Sequence, residues 1–85
     1  MRRQERGNLE EAELLINRAL SSMQRTLGPN HPSVATVLHN LGTIHVRLGQ
    51  HKRAMNAFER AFTIKNAVFG PEHPSTKRTH AWLQL

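Results

Sequence analysis

The sequence predicts an all-α protein built from antiparallel helical hairpins. Apolar residues recur at steps of three and four along most of the chain, which is the spacing of a helical face. The loop Leu27–Ser33 returns almost unchanged as Phe69–Ser75, and 10 of the 43 residue pairs at this offset of 42 are identical. No segment alternates at period two for long enough to predict a strand. A period of this length is typical of arrays of small units that share a core with their neighbours.

The first helix is predicted over about 9–27. Asn8 is a good N-cap, and Glu11 stands three residues later, as in a capping box. Gly28 followed by Pro29 predicts its end, because glycine adopts the left-handed C-terminal turn and proline cannot continue the helix. The apolar positions that define its face are Leu9, Ala12, Ile16, Ala19, Leu20, Met23 and Leu27.

Two further helices are predicted within 33–68. Pro32 fits the first turn of the earlier one, where its missing N–H carries no penalty, and Gly49 ends that helix. After a very short turn, the third apolar face runs from Ala54 to Val68 and stops before Gly70. A fourth helix is predicted over 75–85. The short links favour antiparallel neighbours.

The charge of the chain is strongly basic, with a net value of +6 and no aspartate. Four of the six acidic residues lie in the first 13 positions, and from Leu14 onward nine Lys and Arg stand against Glu59 and Glu72. A basic body favours acidic partners by long-range attraction, although a solvated basic face with no partner is an equal alternative. The chain has no cysteine, no apolar run of membrane-spanning length and no apolar leader, so a cytoplasmic location without membrane insertion is expected.

One group of residues is similar to a known family. Asn40-Leu41-Gly42, followed by Gly49, Ala54, Phe58, Ala61 and Phe62, has the spacing of a tetratricopeptide repeat. The long second helix that ends in Gly-Pro-x-His-Pro resembles the 42-residue variant found in kinesin light chains and nephrocystin-like proteins. The resemblance implies a segment of an α-solenoid that occupies 1–85 and contains four helices. A complete repeat (33–68) would follow the second helix of a partial repeat (9–27) and precede the first helix of another (75–85).

The resemblance also implies a peptide-binding groove lined by the first helix of each repeat. Asn40 can both donate to and accept from a peptide backbone, and Arg47 and Arg78 offer forked donors for a carboxylate. The alternative is that these residues are merely solvated, and Trp82 either joins the groove or covers apolar surface. The groove positions carried over to this sequence are Thr36, His39, Asn40, Thr43, Val46, Arg47 and Arg78.

A second candidate site is a basic patch of His51, Lys52 and Arg53. Cations in the first turn of a helix are disfavoured by about 0.3–1 kcal/mol each, so the patch either meets an acidic partner or is simply tolerated. No metal site is predicted, because His39, His45 and His51 are six residues apart and turn to different sides of a helix.

These observations predict a non-catalytic interaction module that binds a peptide or protein segment, with some preference for an acidic one. The sequence has no phosphate-binding glycine loop, nucleophile elbow or carboxylate pair in its basic body, so neither an enzyme nor a cofactor is expected. Two alternatives stay open. The basic repeats could bind RNA through its phosphates, although aromatic residues for base stacking are scarce. The unfinished half-repeats could also complete each other in a homodimer.

Overall fold

The computed structural model describes residues 3–85 as four α-helices joined by short turns. The helices are α1 (Arg3–Leu27), α2 (Pro32–Arg47), α3 (His51–Phe69) and α4 (Pro74–Leu83). Each helix packs mainly against its neighbours in chain order, and the α2–α3 pair shares the most extensive contact. The described part of the chain contains no strand. The predicted all-α class is therefore confirmed.

The first helix begins earlier than the sequence predicts. It starts at Arg3 and not near residue 9, so Asn8 lies inside the helix and does not cap it. Arg6 Nε donates to Glu10 Oε1 at 3.1 Å, and such a pair one turn apart supports an exposed helix by about 0.2–0.5 kcal/mol. Gly7 is exposed and has no neighbouring atom within 4 Å of the position of a Cβ, so it interrupts no packing. The fourth helix also differs, because it ends at Leu83 and not at residue 85.

The repeated loop starts the helix that follows each copy. His31 is the N-cap of α2, and its Nδ1 accepts from the backbone N–H of Ser33 at 3.0 Å. His73 caps α4 in the same way, with Ser75 N–H donating to its Nδ1 at 3.1 Å. A proline follows each cap, at a position where the helix needs no N–H. Both imidazoles therefore accept the capping hydrogen bond that a serine or aspartate side chain usually accepts.

The same loop also ends the preceding helix. Gly28 and Gly70 have φ values of 93° and 88°, a left-handed conformation that residues with a Cβ rarely adopt. Gly70 N–H donates to Asn66 O at 3.1 Å and satisfies one of the last carbonyls of α3. Helix α1 thus ends at Leu27, where the sequence predicts, and α3 ends at Phe69, one residue beyond the predicted boundary.

The centre of the fold is a close approach of α2 to α3 at Gly42. A Cβ on this glycine would lie 2.7 Å from one ring carbon of Phe58 and 2.8 Å from the next. Phe58 is fully buried, and its ring also meets His39 edge-on and stacks on Trp82, with centroids 5.3 Å and 5.1 Å apart. One phenyl ring consequently joins α2, α3 and α4.

The two outer helix interfaces are equivalent by the 42-residue repeat but differ in chemistry. Between α1 and α2, the packing includes the apolar residues Met23, Val34 and Val37. The residues 42 positions later, between α3 and α4, are Lys65, Thr76 and Thr79. All three are buried. The repeat therefore places a lysine and two threonines where its first copy has a methionine and two valines.

No helix within residues 3–85 combines the length and the apolar character that crossing a bilayer requires.

Candidate functional site

Apart from His39, the predicted groove residues of α2 lie on the side of the helix that faces away from the core. Thr36, Asn40 and Arg47 are exposed and follow one another at helical spacing, while Thr43 and Val46 are half-buried beside them. Thr43 Oγ1 donates to Asn40 O at 2.7 Å, so it is engaged with its own helix. We call Thr36, Asn40 and Arg47 the exposed face of α2.

Helix α4 meets α2 through His39. His39 Nδ1 lies 2.9 Å from Thr79 Oγ1, and the half-buried imidazole is held between this hydroxyl and the Phe58 ring. Arg78, the predicted groove residue of α4, is adjacent to Thr79 in sequence and exposed. The structure therefore brings His39 and Arg78 to the same junction, but His39 is tied into the packing and is less open than the sequence suggested.

A buried lysine that was not predicted from the sequence completes this junction. Lys65 is 5% exposed, and its Nζ donates to Thr79 Oγ1 at 2.9 Å. Thr76, which is fully buried, donates to the backbone O of Lys65 at 3.3 Å. We refer to His39, Lys65, Thr76 and Thr79 as the polar cluster. It lies where α2, α3 and α4 meet.

Trp82 serves in packing. It is half-buried, and its ring stacks on Phe58 with an interplanar angle of 10°. Of the two roles that the sequence left open for Trp82, this contact supports the covering of apolar surface.

The residues of the predicted basic patch are exposed at the start of α3. His51, Lys52 and Arg53 line an open depression together with Gly49 and Gln50. Gln50 is the N-cap residue but makes no capping hydrogen bond with its side chain, whose Oε1 lies instead 2.7 Å from His45 Nδ1. Within residues 3–85, no group of three or more histidine, aspartate and glutamate side chains is arranged to hold a metal ion.

His45 belongs to a separate buried contact between α1 and α2. Its Nδ1 lies 3.2 Å from Glu13 Oε2, and both side chains are largely buried. The Glu13 oxygen is close in distance but makes no hydrogen bond. This contact is part of the packing of the first interface and lies away from the predicted groove.

Comparison with protein families assigns the fold to a known group. A family model described as "Tetratricopeptide repeat" matches residues 3–67, which is well over half of the chain. The chain belongs to the tetratricopeptide repeat family. Repeats of this family generally mediate protein–protein interactions. The finer likeness of this tetratricopeptide segment to kinesin light chains stays a prediction.

The tetratricopeptide segment is also similar to part of several large curated proteins. It is 30% identical over 81 residues to the Clustered mitochondria protein homologs of Homo sapiens and Danio rerio. The homolog of Xenopus tropicalis is 28% identical over the same number of residues. In each case the alignment covers 95% of this chain, which spans only 6% of the length of the relative.

The polar cluster of this tetratricopeptide segment is positively charged and has no carboxylate. Burial lowers the pKa of Lys65, and the nearby Arg78 lowers it further. Burial also lowers the pKa of His39, with additional repulsion from Lys65 and Arg78. Within residues 3–85, the acidic side chains that lie within 4 Å of a basic one are Glu10, Glu13 and Glu72, whose partners are Arg6, His45 and Lys77, so none reaches Lys65.

The stability of the tetratricopeptide segment should therefore rise in alkaline solution. The folded pKa of Lys65 lies below its ordinary value of 10.5, so the unfolded chain binds more protons up to that pH and stability increases as pH approaches it. Lys65→Met is expected to remove this rise and to add about 1 kcal/mol at neutral pH. Urea unfolding at pH 7.5 and pH 10 measures both effects.

The control for this prediction is Lys77→Met, which removes an exposed lysine from α4. This variant should keep the rise in stability between pH 7.5 and pH 10. Because the chain has no tyrosine and no cysteine, few other groups titrate in that range. A Lys65→Met variant with the same rise as the parent chain would show that burial of this cation carries no penalty.

Proposed function

We propose that this segment is a non-catalytic interaction module that binds an extended peptide or protein segment along α2 and α4. The observation that carries the proposal is the exposed face of α2. Thr36, Asn40 and Arg47 are all exposed on it. The Thr36 hydroxyl donates to Pro32 O of its own helix at 3.4 Å, whereas the Asn40 amide and the Arg47 guanidinium suit a peptide backbone and its side chains. Arg78 extends the same chemistry onto α4.

The charge distribution supports an acidic ligand. The exposed charges of α2 and α4 are all basic, whereas α1 exposes both glutamates and arginines. Arg47 and Arg78 can each hold a carboxylate through two parallel hydrogen bonds. With a net charge of +6, the chain attracts acidic partners before contact.

A peptide display library screened against the 85-residue chain tests this function. Peptides that bind the parent chain should lose about tenfold or more in affinity for the double variant Asn40→Ala/Arg47→Ala, because each truncation removes a hydrogen bond to the ligand. Fluorescence anisotropy of labelled peptides measures the change.

The matched control is Asn17→Ala/Arg18→Ala, which makes the same two substitutions at exposed positions on α1. It is expected to leave affinity unchanged. Equal losses in both double variants would place the binding surface elsewhere, and a library that yields no binder would remove the peptide-binding function.

A further inference from the structure

We propose that α3 carries a second docking surface, which binds an acidic segment of another protein. The surface lies on the opposite side of the segment from the exposed face of α2, so it does not rest on the proposed function. Exposed residues of α3 recur at steps of three and four and therefore share one side of the helix. We call this side the outer face of α3, and its residues are Lys52, Arg53, Asn56, Arg60 and Thr63.

The position of the outer face follows from the packing of α3. Ala54, Phe58 and Ala61 are fully buried on the other side of this helix, and the ring of Phe58 lies against Gly42 of α2. The outer face therefore points away from α2, just as the exposed face of α2 points away from α3. The two surfaces face opposite directions, so two partners can be bound at the same time.

The first argument is the charge of the outer face. Within residues 3–85, none of the ion pairs involves Lys52, Arg53 or Arg60. The sequence of α3 contains one acidic residue, Glu59, which is exposed and makes no ion pair with these cations. The three positive charges therefore have no use inside the described part of the chain and are available to a carboxylate of a partner.

The second argument comes from the internal repeat. Lys52 and Arg53 lie in the first turn of α3, where the helix dipole disfavours a positive charge. The residues 42 positions earlier are Glu10 and Glu11, so the fold accepts acidic residues at these positions. Residues that are unfavourable for their own helix and are not required by the fold indicate a role in recognition.

The third argument is the shape of the surface. The open depression at the basic patch borders the start of the outer face. A second depression, of about 210 Å³, lies farther along the helix. Sites for small molecules usually measure about 300–1,000 Å³, so this depression suits one side chain of a partner and not a whole small molecule. Its lining residues are Pro29, Asn30, Arg60, Thr63 and Ile64.

The chemistry of the second depression suits the side chain of a glutamate or aspartate. Thr63 Oγ1 donates to Glu59 O at 2.9 Å, so this hydroxyl has no hydrogen left for a ligand. The remaining donors are the Arg60 guanidinium and the Asn30 amide, and both residues are exposed. Arginine can hold a carboxylate through two parallel hydrogen bonds. The methylene groups of the acidic side chain would lie against the ring of Pro29.

An acidic protein segment fits the outer face better than a membrane or a nucleic acid does. Segments that bind anionic membranes through charge carry clusters of about four to eight Lys and Arg, and the outer face has three. Single-stranded nucleic acids are bound largely by stacking of bases on aromatic rings, and none of the five residues of the outer face is aromatic.

The spacing of the arginines predicts the spacing of the acidic residues in the partner. Arg53 and Arg60 are seven residues apart on one helix, which corresponds to a rise of about 10 Å. Two residues that are three positions apart in an extended chain span about the same distance. We therefore expect a partner segment with acidic residues at positions i and i+3.

A peptide display library tests this surface. Two glutamates three positions apart are fixed in the library, and the other positions vary. The bait is the 85-residue chain with Asn40→Ala/Arg47→Ala, so peptides that depend on the exposed face of α2 are not selected. Binding of selected peptides is measured by fluorescence anisotropy, and exchange of both glutamates for glutamine should weaken it by about tenfold or more.

Two double variants of the bait locate the binding surface. Arg53→Gln/Arg60→Gln should lower the affinity for selected peptides by about tenfold or more. The matched control is Arg18→Gln/Arg25→Gln, which removes two exposed arginines with the same spacing from α1 and changes the net charge equally. It should change affinity by less than about twofold. Equal weakening by both variants would reduce the attraction to net charge and overturn the surface, and so would a library that yields no binder.

The same bait is titrated with a single-stranded uridine oligonucleotide and with vesicles that contain phosphatidylserine. If either binds more tightly than the selected peptides and is lost with Arg53→Gln/Arg60→Gln, the partner is not an acidic protein segment and the proposal is overturned. Because the bait lacks Asn40 and Arg47, these results do not depend on the function proposed for the exposed face of α2. Loss of that function leaves the outer face of α3 as a separate finding.

Discussion

Replacement of Phe58 by alanine is expected to destabilise the chain by about 3–5 kcal/mol, a large part of the stability of a domain of this size. The ring is fully buried and joins its own helix to two others, since it lies against Gly42 and His39 of α2 and stacks on Trp82 of α4. Its removal leaves a cavity at the centre of the fold and also frees the aromatic anchor of α4. Urea unfolding followed by circular dichroism measures the loss.

Phe69→Ala is the matched control for Phe58→Ala. Phe69 is 40% exposed at the end of α3, where its ring stacks on His73. The same chemical change there is expected to cost only about 1–2 kcal/mol, because the residue is already partly exposed and no enclosed cavity forms. Similar losses in the two variants would contradict the central position that the structure gives to Phe58.

Gly42→Ala is expected to destabilise the chain by about 1–3 kcal/mol, even though alanine is the better helix former. The added methyl would lie 2.7–2.9 Å from three ring carbons of Phe58, which is too close for carbon atoms that are not bonded to each other. The ring cannot move away freely, because His39 and Trp82 hold it on other sides. Either α2 separates from α3 or the aromatic cluster rearranges.

Gly7→Ala gives the opposite expectation for the same substitution. Gly7 lies in α1, is exposed and has no atom within 4 Å of the Cβ position, so alanine should stabilise by about 0.5–1 kcal/mol. A double variant, Gly42→Ala/Phe58→Leu, adds a test of cause. If the clash with the ring produces the loss, the two changes should be less harmful together than the sum of the single effects. Simple additivity would mean that the glycine matters for another reason.

Most of the fold could be predicted because its signals are local. The period of three and four identifies the helices, and the glycines of the repeated loop identify the ends of α1 and α3. The start of α1 could not be predicted in this way. A capping signal at Asn8 is only a preference, and it competes with the favourable helix residues before it and with the Arg6–Glu10 pair.

The candidate site was only partly visible in the sequence. Thr36, Asn40 and Arg47 are exposed as their spacing indicates, because orientation on one helix follows from periodicity. The contact of His39 with Thr79 could not be predicted, since it depends on how α4 is placed against α2. Lys65 left a readable signal nevertheless. It stands where the first repeat has Met23, and a charged residue at an apolar position of a repeat indicates a buried polar contact.

The order of the helix contacts has a consequence for how such a chain can diversify. Extensive packing joins neighbours in chain order, and the two outer interfaces fill equivalent positions with apolar residues in one case and polar residues in the other. Point substitutions at the α1–α2 junction are therefore felt weakly at the α3–α4 junction. Selection can rewrite the recognition chemistry of a single junction while the adjoining helices preserve the architecture, so new ligand preferences can arise within one repeat at a time.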